Sequence, residues 1–217
     1  MASKKDFKPS CKLCKRLSSF LKEVKKVHPD YYCKPVPAFG DLEAELLIVG
    51  LAPGMHGANA TGRPFTGDYS GALLYQTLFQ YGFSSAAVSV DADDGMKLHN
   101  CRITNAVKCL PPQNKPVGAE INICNKYLAV ELSNLPERAV IITLGSIAHN
   151  ATLKALQLPK KDYKFAHQAE FALNTITGQR TLISSYHCSR YNTQTKRLTE
   201  KMFHDVFARA KVLLKHD

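Results

Sequence analysis

A loop of nineteen residues, 50–68, constrains this chain more than any other segment, because connections inside compact domains are seldom so long. It follows an apolar run, Leu46–Val49, that predicts a buried strand, and helical spacing begins at Ser70. Its five glycines and two prolines allow tight turns and close approach of the backbone to a ligand. Because α/β sheets bind ligands at the carboxyl ends of their parallel strands, residues 50–68 predict a binding site rather than a plain surface loop.

Strand and helix patterns alternate along the rest of the chain, which predicts a single α/β domain over residues 1–217 with a parallel sheet covered on both faces. Residues 1–10 are expected to be a loose, basic start. Right-handed crossovers place the loops after all four strands at one edge of the sheet. The predicted strands are 44–50, 101–109, 139–144 and 181–186, and the predicted helices are 16–27, 70–81, 118–134, 146–156 and 193–214.

The charge balance indicates a polyanionic partner. Lys and Arg total 29 against 18 Asp and Glu, a formal charge of +11, which favours nucleic acid, although charge that serves only solubility is the alternative. The acidic patch at residues 91–94 is interpreted as solvated surface. The sequence has no apolar run long enough for a membrane span and no apolar segment after its Lys-rich start, so we expect a cytoplasmic protein.

Seven cysteines in a chain without an export signal predict metal ligation or buried thiols rather than disulfides. Cys11 and Cys14 form a C-x-x-C pair, and Cys109 and Cys124 can complete a site with four thiolates. The spacing alone leaves an iron–sulfur cluster, zinc and the absence of a metal open. The other three are interpreted as buried thiols: Cys33, Cys101 and Cys188.

Four features together resemble the iron–sulfur uracil-DNA glycosylases, and most of all their family-five, or b-type, branch. They are the cysteine quartet and the segments GLAPGMHGANATGRPFTGD, ITNAVKCLPP and SYHCSRYNTQTKRLT, and the resemblance spans about residues 11–202. It implies a three-layer α/β/α sandwich with a four-stranded parallel sheet. It also implies a structural [4Fe–4S] cluster held by Cys11, Cys14, Cys109 and Cys124, and so favours the cluster over zinc.

The same resemblance assigns roles to residues at the strand ends. Phe65 matches the aromatic residue that stacks on an extruded base. Asn105 and His187 match the residues that contact the base edge and its carbonyl oxygen. Asp68 matches the acid that orients water in the b-type branch, and the a-type branch has its acid where this chain has Leu51-Ala52. Taken alone, Asp68 also suits a helix cap. Backbone N–H groups of the glycine-rich loop are expected to contact the base as well: Gly50, Ala52 and Gly54.

Residues after His187 are expected to hold DNA. Ser189, Arg190 and Tyr191 resemble the loop that enters the minor groove in such glycosylases, where arginine reaches phosphate and tyrosine wedges a base step. Lys196 and Arg197 suit phosphate contacts, with a solvated helix face as the alternative.

The expected activity is that of a monomeric, monofunctional DNA glycosylase. It would remove uracil, and also hypoxanthine and xanthine, and leave an abasic site for base excision repair. Three departures from the family pattern are Ala60 in place of arginine, Cys188 in place of proline and Lys196 in place of glycine. They support an alternative, a DNA-binding protein with weakened catalysis. A glycosylase with lyase activity would need a lysine near the site, and the first motif has none.

Overall fold

The computed structural model describes residues 7–176 and 178–215, and within them six strands form one mixed sheet in the order β1-β3-β2-β4-β6-β5. The strands are β1 (Phe39–Gly40), β2 (Leu46–Gly50), β3 (Cys101–Asn105), β4 (Val140–Leu144), β5 (Glu170–Thr175) and β6 (Gly178–Ser185).

The four predicted strands, now β2, β3, β4 and β6, are mutually parallel and lie at the centre of this sheet. The predicted four-stranded sheet is incomplete, because β1 and β5 add one antiparallel strand at each edge. β1 is too short to produce a sequence pattern. β5 has no apolar sequence pattern because it is an edge strand in which only one of six residues is buried.

The helices are α1 (Lys15–Val27), α2 (Ala58–Thr61), α3 (Tyr69–Gln80), α4 (Gly118–Ser133), α5 (Ser146–Ala155), α6 (Arg190–Gln194) and α7 (Glu200–Leu213), with a 3₁₀ turn at Pro112–Asn114. The prediction of one helix over 193–214 is wrong. The chain leaves α6 at Thr195, and Lys196 takes a left-handed conformation with φ of 56°. α7 then starts afresh at Thr199, whose hydroxyl accepts a hydrogen bond from the Met202 N–H at 3.2 Å.

Alternate residues of β2 divide the core in two, since successive side chains of a strand point to opposite faces. Leu46 and Ile48 pack against α3 and α7, whereas Leu47 and Val49 pack against α4 and α5. All four are fully buried, and burial of each such side chain contributes about 1.5–3 kcal/mol. The domain therefore has three layers, with helices on both faces of the sheet.

α1 lies outside these layers, at the edge of the sheet where the parallel strands end. Leu17 packs beside Val107, and Leu21 and Val24 pack beside Leu110, both in the segment that follows β3. Residues 1–6 of the predicted loose start lie outside the described residues, while the ring of Phe7 packs edge-on against Tyr127 at 5.3 Å. No helix among the described residues is long and apolar enough to cross a membrane.

Candidate active site

A cavity of about 340 Å³ opens at the carboxyl edge of the sheet, where the segments after β2, β3 and β6 converge. It brings together most of the side chains and backbone groups that the sequence singles out. Its lining residues are Leu51, Ala52, Gly54, Ala58, Phe65, Asp68, Ser70, Asn105, Asn114, His187 and Ser189. Gly50 lies directly behind this lining.

Phe65 forms one wall of the cavity and is held there by backbone geometry. It is 8% exposed and has φ of 55°, a conformation that non-glycine residues seldom adopt. A Cβ on Gly50 would lie 2.6 Å from the Phe65 ring and 2.4 Å from Asn105 Oδ1. A Cβ on Gly71 would lie 1.7 Å from the Phe65 carbonyl oxygen. The two glycines thus leave the space in which Phe65 sits.

Asn105 ends β3 beside Gly50 of β2 and is 3% exposed. Its Oδ1 is buried and accepts no hydrogen bond from any described residue. An unsatisfied buried acceptor costs about 1–3 kcal/mol. A ligand with an N–H donor in the cavity would satisfy it.

Asp68 serves as the N-cap of α3, as its alternative interpretation predicts, because Oδ1 accepts a hydrogen bond from the Gly71 N–H at 2.9 Å. Its other oxygen faces the glycine-rich loop, where a Cβ on Gly54 would lie 3.0 Å from Oδ2. Burial raises the pKa of Asp68, while hydrogen bonds from the backbone of Gly71 and Ser70 act in the opposite direction. One carboxylate therefore caps a helix and also lines the cavity.

His187 lies opposite Phe65, with the two ring centroids 6.0 Å apart and the planes inclined by 26°. Part of its surface is accessible, but protein atoms surround the ring, and burial lowers its pKa to about 4. At neutral pH the imidazole is therefore uncharged and has one N–H to donate.

The segment after His187 is held by side chains in place of the proline that the family pattern carries there. Asn192 Nδ2 donates to the His187 carbonyl oxygen at 2.8 Å. Cys188 is fully buried, and its thiol donates to the Ser70 carbonyl at 3.4 Å. The sequence does not reveal this contact of Asn192, because an asparagine in the first turn of a helix has no distinctive pattern.

Arg63, a residue of the glycine-rich loop, is buried on the protein side of that loop and is 5% exposed. Its guanidinium donates to Asp94, to the Ala92 carbonyl and to the Ser89 hydroxyl. Burial acts to raise the pKa of Asp94, but the Arg63 hydrogen bond and backbone N–H groups outweigh it and lower the pKa well below its usual range. The interpretation of residues 91–94 as solvated surface is therefore wrong for Asp94.

The residues predicted to hold DNA lie at the mouth of the cavity. Ser189 lines it and caps α6, accepting a hydrogen bond from the Asn192 N–H at 3.4 Å. Arg190 lies over the Tyr69 ring at 5.3 Å, and Tyr191 is 71% exposed.

The two remaining predicted DNA contacts lie in the break between α6 and α7. Arg197 is exposed, and its guanidinium lies over the Tyr186 ring at 4.6 Å. Lys196 is exposed and left-handed, and neither residue belongs to a continuous helix face.

The cysteine quartet surrounds a second, much smaller cavity beside Leu17 and Val107. The Lys108 N–H donates to Cys124 Sγ at 3.3 Å, and the Tyr127 hydroxyl donates to Cys11 Sγ at 3.3 Å. Burial raises the pKa of Cys14 to about 11 and also raises the pKa of Cys109 and Cys124. Across residues 7–176 and 178–215, no group of three or more His, Cys, Asp or Glu side chains that could hold a metal ion is found.

The remaining thiols are buried, as predicted: Cys33, Cys101 and Cys188. Four cavity residues are not predicted from the sequence: Leu51, Ala58, Ser70 and Asn114. Asn114 follows Gln113 in a left-handed turn, with φ of 55° and 54°, and the Pro-rich segment around them was the only signal.

Comparison with known proteins agrees with the geometry. Residues 37–211 match the model of the uracil DNA glycosylase superfamily. The chain is 47% identical to the Type-5 uracil-DNA glycosylase of Thermus thermophilus over 209 residues, 94% of each chain. It is 40% identical to the Type-5 enzyme of Pyrobaculum aerophilum, with 93% and 88% coverage, and 40% identical to that of Mycobacterium bovis, with 94% and 78%. Together with the cavity at the ends of β2, β3 and β6, these similarities show that the chain belongs to the uracil-DNA glycosylase superfamily and is similar to its type-5 enzymes.

Proposed function

We propose that this protein is a monofunctional DNA glycosylase that hydrolyses the bond between uracil and deoxyribose. The observation that supports this most directly is the convergence of Phe65, Asp68, Asn105 and His187 on one cavity. They supply an aromatic face, a carboxylate, an unpaired amide oxygen and an uncharged imidazole. These are the groups that binding and departure of a nucleobase require.

The base must leave the duplex stack to reach such a cavity. Stacking on Phe65 then replaces part of the lost stacking, at about 1–3 kcal/mol per base. Asn105 Oδ1 accepts an N–H of the base, which removes the cost of leaving that oxygen unsatisfied. The neutral His187 donates to a carbonyl oxygen of the base.

Cleavage of the N-glycosidic bond leaves positive charge on the sugar and the bonding electron pair on the base. His187 and the backbone N–H groups near Ala52 and Gly54 stabilise the negative charge on the base oxygen. Asp68 orients the attacking water toward the sugar carbon and offsets the positive charge. The proton that the water loses passes to Asp68 or to solvent, and an abasic sugar remains.

The substrate range extends to hypoxanthine and xanthine, and the abasic product enters base excision repair. The amide of Asn105 has both a hydrogen-bond donor and an acceptor, so it can pair with base edges that differ in their arrangement of donors and acceptors. Phe65 contacts a ring face that all these bases share.

The cysteine quartet holds a [4Fe–4S] cluster with a structural role. In a cubane cluster each cysteine binds its own iron, so the four sulfurs spread around a larger volume than around one ion. The quartet fits this, because all four cysteines line one small cavity. When bound, the cluster supplies the positive charge that keeps buried thiols ionised, and it ties the N-terminal segment to α4.

A panel of oligonucleotides, each with one deaminated base, tests the activity. We expect free uracil, and strand cleavage only after alkali, with borohydride trapping no covalent adduct. A protein that shifts uracil-containing DNA but releases no base in single-turnover experiments would instead be a DNA-binding protein with weakened catalysis. A trapped adduct would indicate a lyase.

Absorbance and iron analysis test the cluster. Purified protein should be brown and contain iron and acid-labile sulfide. Cys124→Ser should lose both, whereas the matched control Cys101→Ser, at a buried cysteine in β3, should keep them. Zinc in place of iron would overturn the proposal.

A further inference from the structure

A groove of about 800 Å³ runs along α1, outside the cavity described above. Its floor is apolar and includes the buried residues Leu21 and Pro35. Six exposed lysines line it, and no acidic residue is among the described residues that do so. These lysines are Lys8, Lys12, Lys22, Lys25, Lys26 and Lys34.

So many ammonium groups around one groove repel one another unless an anion joins them. Lys22 and Lys26 are one helical turn apart, a spacing at which like charges destabilise a helix. Glu23, the acid of α1, is exposed but does not line the groove. Lysine stems cover apolar surface while their ammonium groups reach outward. A regular row of phosphates over an apolar floor matches this chemistry.

The groove is joined to the cavity by hydrogen bonds. The segment after α1 pairs with the glycine-rich loop through Tyr32 N–H to the Ala60 carbonyl at 2.9 Å and Cys33 N–H to the Asn59 carbonyl at 3.0 Å. Lys25 donates to the Tyr31 carbonyl, which ties the groove to the same segment. The groove and the loop that contains Phe65 are therefore parts of one connected surface.

An aromatic cluster lies between the two. His28 and Tyr31 stack at 4.5 Å with their planes 12° apart, and His56 packs edge-on against both. The Tyr31 hydroxyl and His56 Nδ1 are hydrogen bonded at 2.8 Å. His56 belongs to the glycine-rich loop, so the rings form a link between the cavity and α1. Rings of this kind accept unpaired bases of any sequence by stacking.

We propose that the DNA strand whose base enters the cavity continues across the His28–Tyr31–His56 cluster and binds by its phosphates in the lysine groove. This inference rests on the proposed function, because it takes the strand in the groove to be the one that the cavity engages. The groove contacts only the sugar–phosphate backbone of the DNA, so it adds affinity without a preference for DNA sequence. It lies on the opposite side of the glycine-rich loop from the contacts predicted at Ser189–Tyr191.

Binding to oligonucleotides with a tetrahydrofuran abasic analogue tests this. The oligonucleotide is lengthened separately on the 5′ and the 3′ side of the analogue. Wild-type protein should gain about tenfold in affinity on one side as phosphates reach the groove. In Lys22→Gln/Lys26→Gln the gain should shrink clearly, and the slope of log affinity against log salt should fall by about 1 per lysine removed.

Lys160→Gln/Lys161→Gln is the matched control, because it removes the same charge from two exposed positions. These positions follow the C-terminal end of α5, whereas the N-terminal end of that helix follows β4 at the cavity edge. It should keep both the length dependence and the salt slope. Lys22→Glu/Lys26→Glu should bind long oligonucleotides more weakly still, and circular dichroism melting checks that each variant is folded.

Equal length dependence in the wild type and in the Lys22→Gln/Lys26→Gln variant would overturn the inference, as would no gain on either side. Uracil release from a short duplex is measured in parallel. If uracil is released but the length dependence is absent, only the groove is refuted. If no base is released, the proposed function fails, while the affinity and salt data still decide whether the groove binds DNA.

Discussion

The rings of Phe65 and His187 face each other nearly in parallel, with centroids 6.0 Å apart. They come from the segments after β2 and β6, which are separated in the sheet by β4. The pairing puts an aromatic face beside the imidazole, and protein atoms surround most of that ring. This explains both the stacking wall and the low pKa of His187.

Replacement of His187 tests whether a neutral donor is sufficient. The pKa of about 4 keeps the ring uncharged at neutral pH, so His187→Gln, which keeps an N–H, should retain more activity than His187→Ala. The alanine variant should lose about 10²–10³-fold in the single-turnover rate. The pH profile of the wild-type rate should show no ionisation near pH 6.5. An ionisation near pH 6.5 that is present in the wild type and absent from His187→Gln would contradict the proposal that His187 acts as a neutral donor.

The same shift predicts how stability depends on pH. Between the ordinary histidine pKa of 6.5 and the folded value of about 4, the unfolded chain binds a proton that the folded protein does not. His187 therefore makes the protein less stable as pH falls through this range. Urea unfolding of the wild type and His187→Gln at several pH values measures the difference, which should grow toward the acid side.

Substitutions of Asp68 separate its two roles. Asp68→Ala removes the cap of α3 and should cost about 0.5–2 kcal/mol of stability. Asp68→Asn keeps a capping oxygen and removes the negative charge of the carboxylate. Burial of that carboxylate raises the pKa of Asp68. That charge destabilises the fold above the raised pKa, so at neutral pH the asparagine variant should be as stable as the wild type or more so. Both variants should lose uracil excision, and an active Asp68→Asn would refute the role in orienting water.

Gly50→Ala tests the space behind the cavity wall. The new Cβ would clash with both Phe65 and Asn105, so we expect a loss of about 1–3 kcal/mol from overpacking and a marked rise in KM. Gly118→Ala is the control, because a Cβ there meets no atom within 4 Å at the first residue of α4. That variant should keep the wild-type KM and stability. Equal kinetics for the two variants would show that the position of Phe65 does not matter.

Asp94→Ala should destabilise the protein by about 3–5 kcal/mol, since it leaves the buried Arg63 guanidinium without its carboxylate partner. Asp93→Ala removes the same charge from an exposed neighbour and should have almost no effect. Because the pKa of Asp94 is lowered in the folded state, the pair stabilises the protein above the ordinary carboxyl pKa and is lost as pH falls. Thermal melts of both variants test this, and equal melting temperatures would contradict it.

Much of the site could be predicted because it follows from the order of parallel strands. Once β2, β3 and β6 are taken as parallel, Phe65, Asn105 and His187 must meet at one edge. Asp68 could be placed there for the same reason, and its capping role follows from its position before a helix.

Other features depend on contacts distant in sequence, and no local pattern reveals them. Asp94 resembles a solvated acid until Arg63, thirty-one positions earlier, is seen to pair with it. The helical pattern after residue 193 continues through Lys196, and only the backbone shows that the helix breaks there. β5 is an edge strand, so its side chains lack the apolar signal of a buried strand.

The close fit of Gly71 under the Phe65 carbonyl has a dynamic consequence. Because the stacking wall interlocks with the first turn of α3, and Asp68 caps that turn, the wall and the helix should move as one rigid body. Any adjustment that admits a base of different size then falls on the other wall, from His187 to Arg190. The cavity would then be preorganised toward the face of a bound ring and adaptable toward its edge.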